Sequence, residues 1–319
     1  MKIDELLTGV NTVGISGHVR PDGDCIGSNI ALYLYIKRNF PNIRVDLFLQ
    51  KIPGEYLFLE GTEEINSDYS TDVDSYDVFF AIDCGKERLG DSEKFFDNAK
   101  KKVNIDHHMS NQGTGDENYI VPTASSACEL VYDVIDKDKI DLDIAKALYT
   151  GIITDTGVLK YSNTSPKTLT VVADLIKFDF EFGALVDHVF FEKTYHQNQI
   201  LGRALLESYL FMDGKCIVSV VSQQTMDLYQ VESSDLDGIV SQLLLTTGTE
   251  CAIFMYELET MKYKVSLRSK GQVNVAKIAE LFGGGGHARA AGCTMNGTQH
   301  DVINSLSEYI DRELKGIGV

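Results

Sequence analysis

One short run constrains this chain more than any other: Val103-Asn104-Ile105-Asp106-His107-His108. A β-branched strand runs directly into one acid and two imidazoles. Val103 and Ile105 suit a buried strand. Such a strand delivers Asp106, His107 and His108 to its carboxyl end, where open α/β sheets place their ligands. Imidazole nitrogens bind divalent metals, and carboxylates beside them add hard oxygen donors. A strand that merely ends in polar loop residues reads the same over three letters, so the rest of the chain decides.

Three further stretches put acids or histidine at similar junctions. Residues 11–16 read as a strand that feeds Gly17-His18-Val19-Arg20-Pro21-Asp22-Gly23-Asp24. Ile26, Ile30 and Leu34 then recur at helical spacing. Asp24 alone is explained as an N-cap, since its side chain can satisfy free amides. A cap does not explain His18, Asp22 and Asp24 together, and Gly17 and Gly23 allow the tight turns that bring three such side chains close. Residues 45–49 form a second strand. Residues 76–82 form a third, ending at Asp83-Cys84-Gly85. After the Asp106-His107-His108 strand, Thr123-Ala124-Ser125-Ser126 precedes a helix over 127–135. A further helix over 145–154 ends at Asp155-Thr156-Gly157. Alternation of strands and helices to about residue 185 predicts a mostly parallel sheet with helices on both faces.

The chain has 319 residues. At roughly 100–200 residues per domain this predicts two: a metal-binding domain over 1–188, a helical linker over 189–210, and a smaller C-terminal α/β domain over 211–319. In the last, residues 215–221 begin a second strand-and-helix set. Residues 251–258 and 262–267 read as a hairpin that Arg268 closes. A helix over 275–282 runs into Gly283-Gly284-Gly285-Gly286-His287-Ala288-Arg289. Four consecutive glycines do not suit the inside of a packed element. Their amides can form an anion-binding nest that approaches a ligand closely.

Net charge is −18, which argues against broad binding to long nucleic acid through many phosphate contacts. A small anionic substrate stays open, because bound cations invert the charge of a pocket. Six cysteines without a Cys-x-x-Cys pair suit buried free thiols rather than a disulfide framework or zinc knuckle. No stretch approaches the ~20 apolar residues of a membrane span. The acidic start Met1-Lys2-Ile3-Asp4-Glu5 does not suit a signal peptide. The expected location is cytoplasmic, with no membrane partner.

His18, Asp22, Asp24, Asp83, His107 and Asp155 exceed the tetrahedral set of one structural zinc. They suit two octahedral cations that share a carboxylate, about 3.5–4 Å apart, a common arrangement for phosphate ester hydrolysis. Mixed carboxylate and imidazole donors favour Mn²⁺, with Mg²⁺ or Co²⁺ as the other candidates. No Gly-x-Gly-x-x-Gly follows the first strand, so a dinucleotide-binding oxidoreductase is rejected.

With these stretches in this order, the sequence resembles the DHH phosphoesterase family. The resemblance rests on Gly17–Asp24, Asp83-Cys84-Gly85, Asp106-His107-His108 and Thr154-Asp155-Thr156-Gly157. Ser266-Leu267-Arg268-Ser269, Gly283–His287 and Ala290-Ala291-Gly292 resemble the DHH-associated domain. The match spans nearly the whole chain and is most similar to the oligoribonuclease/pAp-phosphatase (NrnA-like) subfamily. The chain lacks the extra oligonucleotide-binding domain of a RecJ exonuclease, and its glycine–histidine motif separates it from the family's inorganic pyrophosphatases. The resemblance implies a nuclease that cleaves very short RNA (nanoRNA, pApA-type dinucleotides) and nucleotide bisphosphates such as pAp to mononucleotides, without acting on long duplexes. Cyclic di-AMP is the alternative substrate, and a non-catalytic nucleotide sensor the alternative class. The resemblance also implies roles. His18, Asp22 and Asp83 would hold one metal, and Asp24, Asp83, His107 and Asp155 the other. His108 would act beside the scissile phosphate, with Asp106 orienting the histidines. Arg268, Gly284, Gly285, Gly286, His287 and Arg289 would grip the substrate's far end across an interdomain cleft. Oligomeric state is not legible in these motifs, and a homodimer stays among the options.

Overall fold

A computed structural model describes residues 1–318 and divides the chain into two compact units, Met1–Glu192 and Lys193–Val319. In the first, five short runs pair as one sheet: β1 (Thr12–Ser16), β2 (Arg44–Phe48), β3 (Val78–Ile82), β4 (Lys101–Asp106) and β5 (Glu117–Ile120). Their order is β2-β1-β3-β4-β5, and every pairing is parallel. The five residues of β3, Val-Phe-Phe-Ala-Ile, are all buried. A strand covered on both faces reads as such an unbroken apolar run.

The sheet grows from β1 outward in both directions. β2 adds on one side and β3 on the other, so the carboxyl ends of β1 and β3 flank the switch point where the strand order reverses. On one face lie the helices Gly23–Asn39, Ala127–Val134 and Leu142–Asp155, whose apolar side chains share a cluster with Ile15, Phe80 and Val103. Every residue from Gly23 to Ile36 is buried, as expected of a helix enclosed on all sides. On the other face Phe48, Tyr76, Phe79 and Phe96 form a separate aromatic cluster.

The second unit holds a six-stranded mixed sheet in the order β10-β11-β9-β8-β7-β6. Its strands are β6 (Tyr209–Phe211), β7 (Cys216–Val221), β8 (Cys251–Glu259), β9 (Lys262–Ser269), β10 (Gly285–His287) and β11 (Ala290–Asn296). β7 and β8 are parallel and the other neighbours antiparallel. The helix expected between the two halves spans Tyr195–Leu206. Its Ile200 and Ala204 are fully buried with Val221, Leu243 and Phe254, so it is a packed layer of this unit.

The glycine run departs from expectation, because Gly285 and Gly286 lie inside a strand. A Cβ on Gly286 would stand 2.4 Å from the Ala290 carbonyl, and one on Gly284 2.2 Å from the Gly292 carbonyl. Close approach of β11 therefore accounts for glycine at both positions. All six cysteines are buried free thiols. Among the described residues no helix is long and apolar enough to cross a membrane.

Glycine also sets the spacing of the enclosing helices. A Cβ on Gly27 would stand 2.4 Å from the Ala147 carbonyl, and one on Gly151 2.2 Å from the Cys128 sulfur. Gly151→Ala is expected to cost about 1–3 kcal/mol, as overpacking does. Gly183→Ala, whose Cβ meets nothing within 4 Å, should be neutral or stabilise by about 0.4–1 kcal/mol. Urea unfolding of both variants checks this, and equal stabilities would contradict the close approach.

Candidate active site

Three adjacent strand ends and one helix end supply the site. His18 follows β1, Asp83 follows β3, Asp106 ends β4, and Asp155 is the last residue of the Leu142–Asp155 helix. Asp83 lies between two imidazoles. Its Oδ2 is 3.4 Å from His18 Nε2, and its Oδ1 is 3.4 Å from His107 Nε2 and 3.6 Å from His108 Nδ1. It reaches there with φ +63°, a left-handed backbone that Asp and Asn tolerate better than most residues.

His18 is buried, and its Nδ1 lies 3.0 Å from the Val19 carbonyl. A carbonyl only accepts, so Nδ1 carries a proton, and Nε2 is the nitrogen that faces Asp22 (3.6 Å) and Asp83, as a donor when the ring is protonated and as a lone pair for a cation when it is not. His107 Nε2 is also 3.7 Å from Asp24 and 3.8 Å from Asp155. Asp24 is almost completely buried. Its Oδ2 accepts the Ala127 amide at 2.6 Å, and its Oδ1 the Cys128 amide at 2.9 Å. Asp22 caps the Gly23–Asn39 helix, accepting from the Cys25 amide, so capping does not account for Asp24. Asp24 sits one step inside the helix and turns to the start of another.

Asp106 makes a different set of contacts. Its Oδ1 accepts the amides of His107 (2.7 Å) and His108 (3.1 Å) and the His108 Nδ1–H (2.7 Å), while Oδ2 accepts Asn111 Nδ2 at 2.6 Å. Asn111 also donates to Asn104, which holds the carbonyls of Ala81 and Cys84. Asn163 donates to the carbonyl of Asp155. These three asparagines were missed in the sequence, although Asn111 follows His108 by only three residues. Arg268, Gly284, Gly285, Gly286, His287 and Arg289 belong to the second unit, on β9, just before β10 (Gly284), in β10 and in the turn to β11. Arg268 lies beside Ala290 in register and donates to the Leu267 carbonyl at 3.0 Å.

So much buried charge shifts the titrations. Burial and the carboxylates of Asp83 and Asp155 push Asp24 well above the usual range. Burial raises Asp155 to about 6, against the pull of His107. Burial opposes charge on His107, but Asp83 and Asp24 outweigh it and lift its pKa to about 10. His18 is raised in the same way, by Asp22 and Asp83 acting against burial. Cys25 lies beside His18 and Asp83, yet burial pushes its thiol up to about 12.

The donor set fits divalent cations. Ligand atoms of Asp24, His107 and Asp155 lie within 4.8 Å of one another, as do those of Asp83, Asp106, His107 and His108. Asp83 Oδ1 is buried without a hydrogen-bond donor, the condition of an oxygen that a cation can satisfy. Hard oxygens and imidazoles at the switch point of a parallel sheet define a candidate metal-dependent hydrolase site.

Residues 12–152 match the model of the DHH family, N-terminal domain, and residues 213–316 match the DHHA1 domain. The chain belongs to the DHH family with a C-terminal DHHA1 domain, and it is a metal-dependent phosphoesterase of that family. It is 28% identical to a bifunctional oligoribonuclease and PAP phosphatase NrnA of Thermus thermophilus, over 97% of this chain and 94% of that protein. An exopolyphosphatase-related protein of Bacteroides fragilis has the same fold, with TM-score 0.83, 22% identity and coverage of 98% and 96%. An exonuclease RecJ bound to manganese aligns with TM-score 0.50 and 14% identity, covering 97% and 92%.

Cations and protons compete for the same lone pairs. Mn²⁺ binding at pH 7 is therefore expected to release protons, and affinity should fall as pH is lowered. Calorimetry in buffers of different ionisation enthalpy tests this, and buffer-independent heats would contradict it.

The two buried acids should also separate. Asp83→Ala is expected to lose more metal than Asp24→Ala by elemental analysis. Asp24→Ala should in addition destabilise the metal-free protein by about 1–3 kcal/mol, because two helix amides lose their acceptor. Normal metal content in Asp83→Ala would remove it from the centre of the site.

Proposed function

We propose that this phosphoesterase hydrolyses very short oligoribonucleotides and pAp to mononucleotides, with two divalent cations, Mn²⁺ foremost. The observation that carries the reading is Asp83, buried between His18 and His107 with one oxygen lacking a donor. His18, Asp22 and Asp83 would hold one cation. Asp24, Asp83, His107 and Asp155 would hold the other, with Asp83 in both sets. When bound, the cations supply positive charge to the phosphoryl oxygens and lower the pKa of water. His108, half-exposed and tied through Nδ1 to Asp106, offers its other nitrogen to the reacting phosphate. Asp106 keeps that ring in one tautomer and orientation.

The substrate class is supported by the Thermus relative, an oligoribonuclease and PAP phosphatase by name. It is also supported by the net charge of −18, which offers no broad basic track for a long strand. Arg268, His287 and Arg289, with the amides of Gly284, Gly285 and Gly286, hold the substrate's terminal phosphate or base. An intact ligand set argues against a non-catalytic sensor.

The test is product analysis with Mn²⁺ on pAp, pApA, a five-nucleotide RNA, a 24-nucleotide RNA and cyclic di-AMP. Turnover is expected to be fastest on pAp and the short linear RNAs. Preference for cyclic di-AMP, or efficient decay of the 24-mer, would overturn the substrate reading. His108→Ala should keep its metals and lose roughly 10²–10³ in kcat. Arg268→Ala should lose roughly tenfold to a hundredfold in kcat/KM on pApA, the worth of about 1.5–3 kcal/mol for a charge-assisted hydrogen bond, and little on a small chromogenic phosphodiester.

A further inference from the structure

A cavity of about 230 Å³ opens beside the acids. Its lining is mixed in chemistry. Asp22, Asp24, Asp155, Thr154 and Gly23 make up its polar and small part, while Tyr56, Val189 and Phe190 make up its aromatic and apolar part. The aromatic and apolar residues come from two segments far apart in sequence. Tyr56 ends a short 3₁₀ turn (Gly54–Tyr56) and is nearly buried; its amide donates to the Pro53 carbonyl, and its own carbonyl accepts from Leu59. Val189 and Phe190 belong to a single π-helical turn, Asp187–Phe191, closed by the Glu192 amide on the Asp187 carbonyl at 2.7 Å. Single π turns recur at functional sites, where the extra residue re-aims side chains.

Phosphate does not explain this wall. An anion gains nothing from the Phe190 ring or from Val189, and Tyr56 offers it one phenol hydroxyl beside a large aromatic face. The wall suits a flat, weakly polar ring held a few ångströms from a phosphoryl group, and the volume admits one heterocycle. We propose that this cavity is the subsite for the nucleobase of the nucleotide whose phosphate lies at the acids, with Tyr56 and Phe190 as its stacking surfaces. This rests on the nucleotide reading above and adds a second contact point, within the first unit alone. Every base has a π-face, so the contact favours nucleotides over simple phosphodiesters without selecting sequence.

The experiment compares kcat/KM on pApA and on its two singly abasic analogues, with Mn²⁺, for the unmodified protein, Phe190→Leu, Tyr56→Leu and Tyr56→Phe. Loss of one particular base should cost the unmodified protein about tenfold to a hundredfold, the range of base–aromatic stacking. Phe190→Leu should lose a similar factor on pApA and nothing further on that abasic analogue. Tyr56→Leu should behave alike, and Tyr56→Phe, which keeps the ring, should retain activity. Equal losses on pApA and both abasic analogues, or no loss in either leucine variant, would overturn the subsite while leaving the nucleotide reading intact. An unmodified protein that cleaves a 4-nitrophenyl phosphodiester but no dinucleotide would overturn the nucleotide reading itself, and the subsite with it.

Discussion

Asp83 has an imidazole 3.4 Å from each of its oxygens, and the architecture around it serves that one buried charge. An isolated ionised carboxylate in a protein interior is costly unless it is paired and hydrogen-bonded. Here the partners arrive from the loops after two neighbouring strands, β1 and β4, with Asp83 itself at the end of β3 between them. The left-handed backbone at Asp83 adds local strain, which persists only where surrounding structure holds it. That support is visible: the Asp83 amide bonds the Ile105 carbonyl of β4, and Asn104 holds the carbonyls on either side, at Ala81 and Cys84.

Identical carboxylates take different roles because they meet different donors. Asp106 accepts four hydrogen bonds, three of them on one oxygen, which leaves it suited to orienting a ring rather than holding a cation. Asp24 accepts two helix amides and keeps lone pairs for His107 and its surroundings. Asp83 Oδ1 accepts none. Ligand capacity follows from donors left unmade, and a list of acids in the sequence does not contain that information.

This sets how far the sequence could be read. The strands of the first unit were legible because Val78–Ile82 and the Val103–Ile105 run are apolar enough to mark buried strands, and an acid at each end follows the geometry of parallel sheets. Asp22 and Asp24 could not be sorted in the same way. Both stand at the start of one helix, and the choice between them is made by the Ala127 and Cys128 amides, about a hundred positions away. The glycine run has the same character. Its strand conformation depends on β11, which packs where no side chain fits. Strands of three residues, such as β6 and β10, are too short for alternation to show. Tyr56 and Phe190 carry no motif, and only the folded chain brings them to one cavity.

Helix packing and ligand placement turn out to be one constraint. A Cβ on Gly151 would meet not only the Cys128 sulfur but also Asp24 Oδ1, at 2.9 Å. The Gly23–Asn39 helix carries Asp24 near its start, and the Leu142–Asp155 helix carries Asp155 at its end. Glycine contact between these helices therefore holds both acids within reach of His107. Because both acids are carried on packed helices, their positions inherit the rigidity of the core. Sites built on such elements are more precise than sites on free loops. The same core that excludes water from fourteen consecutive helical residues, Gly23 to Ile36, also withdraws water from the acids at its edge. Their charge then has to be met by protonated imidazoles or by cations.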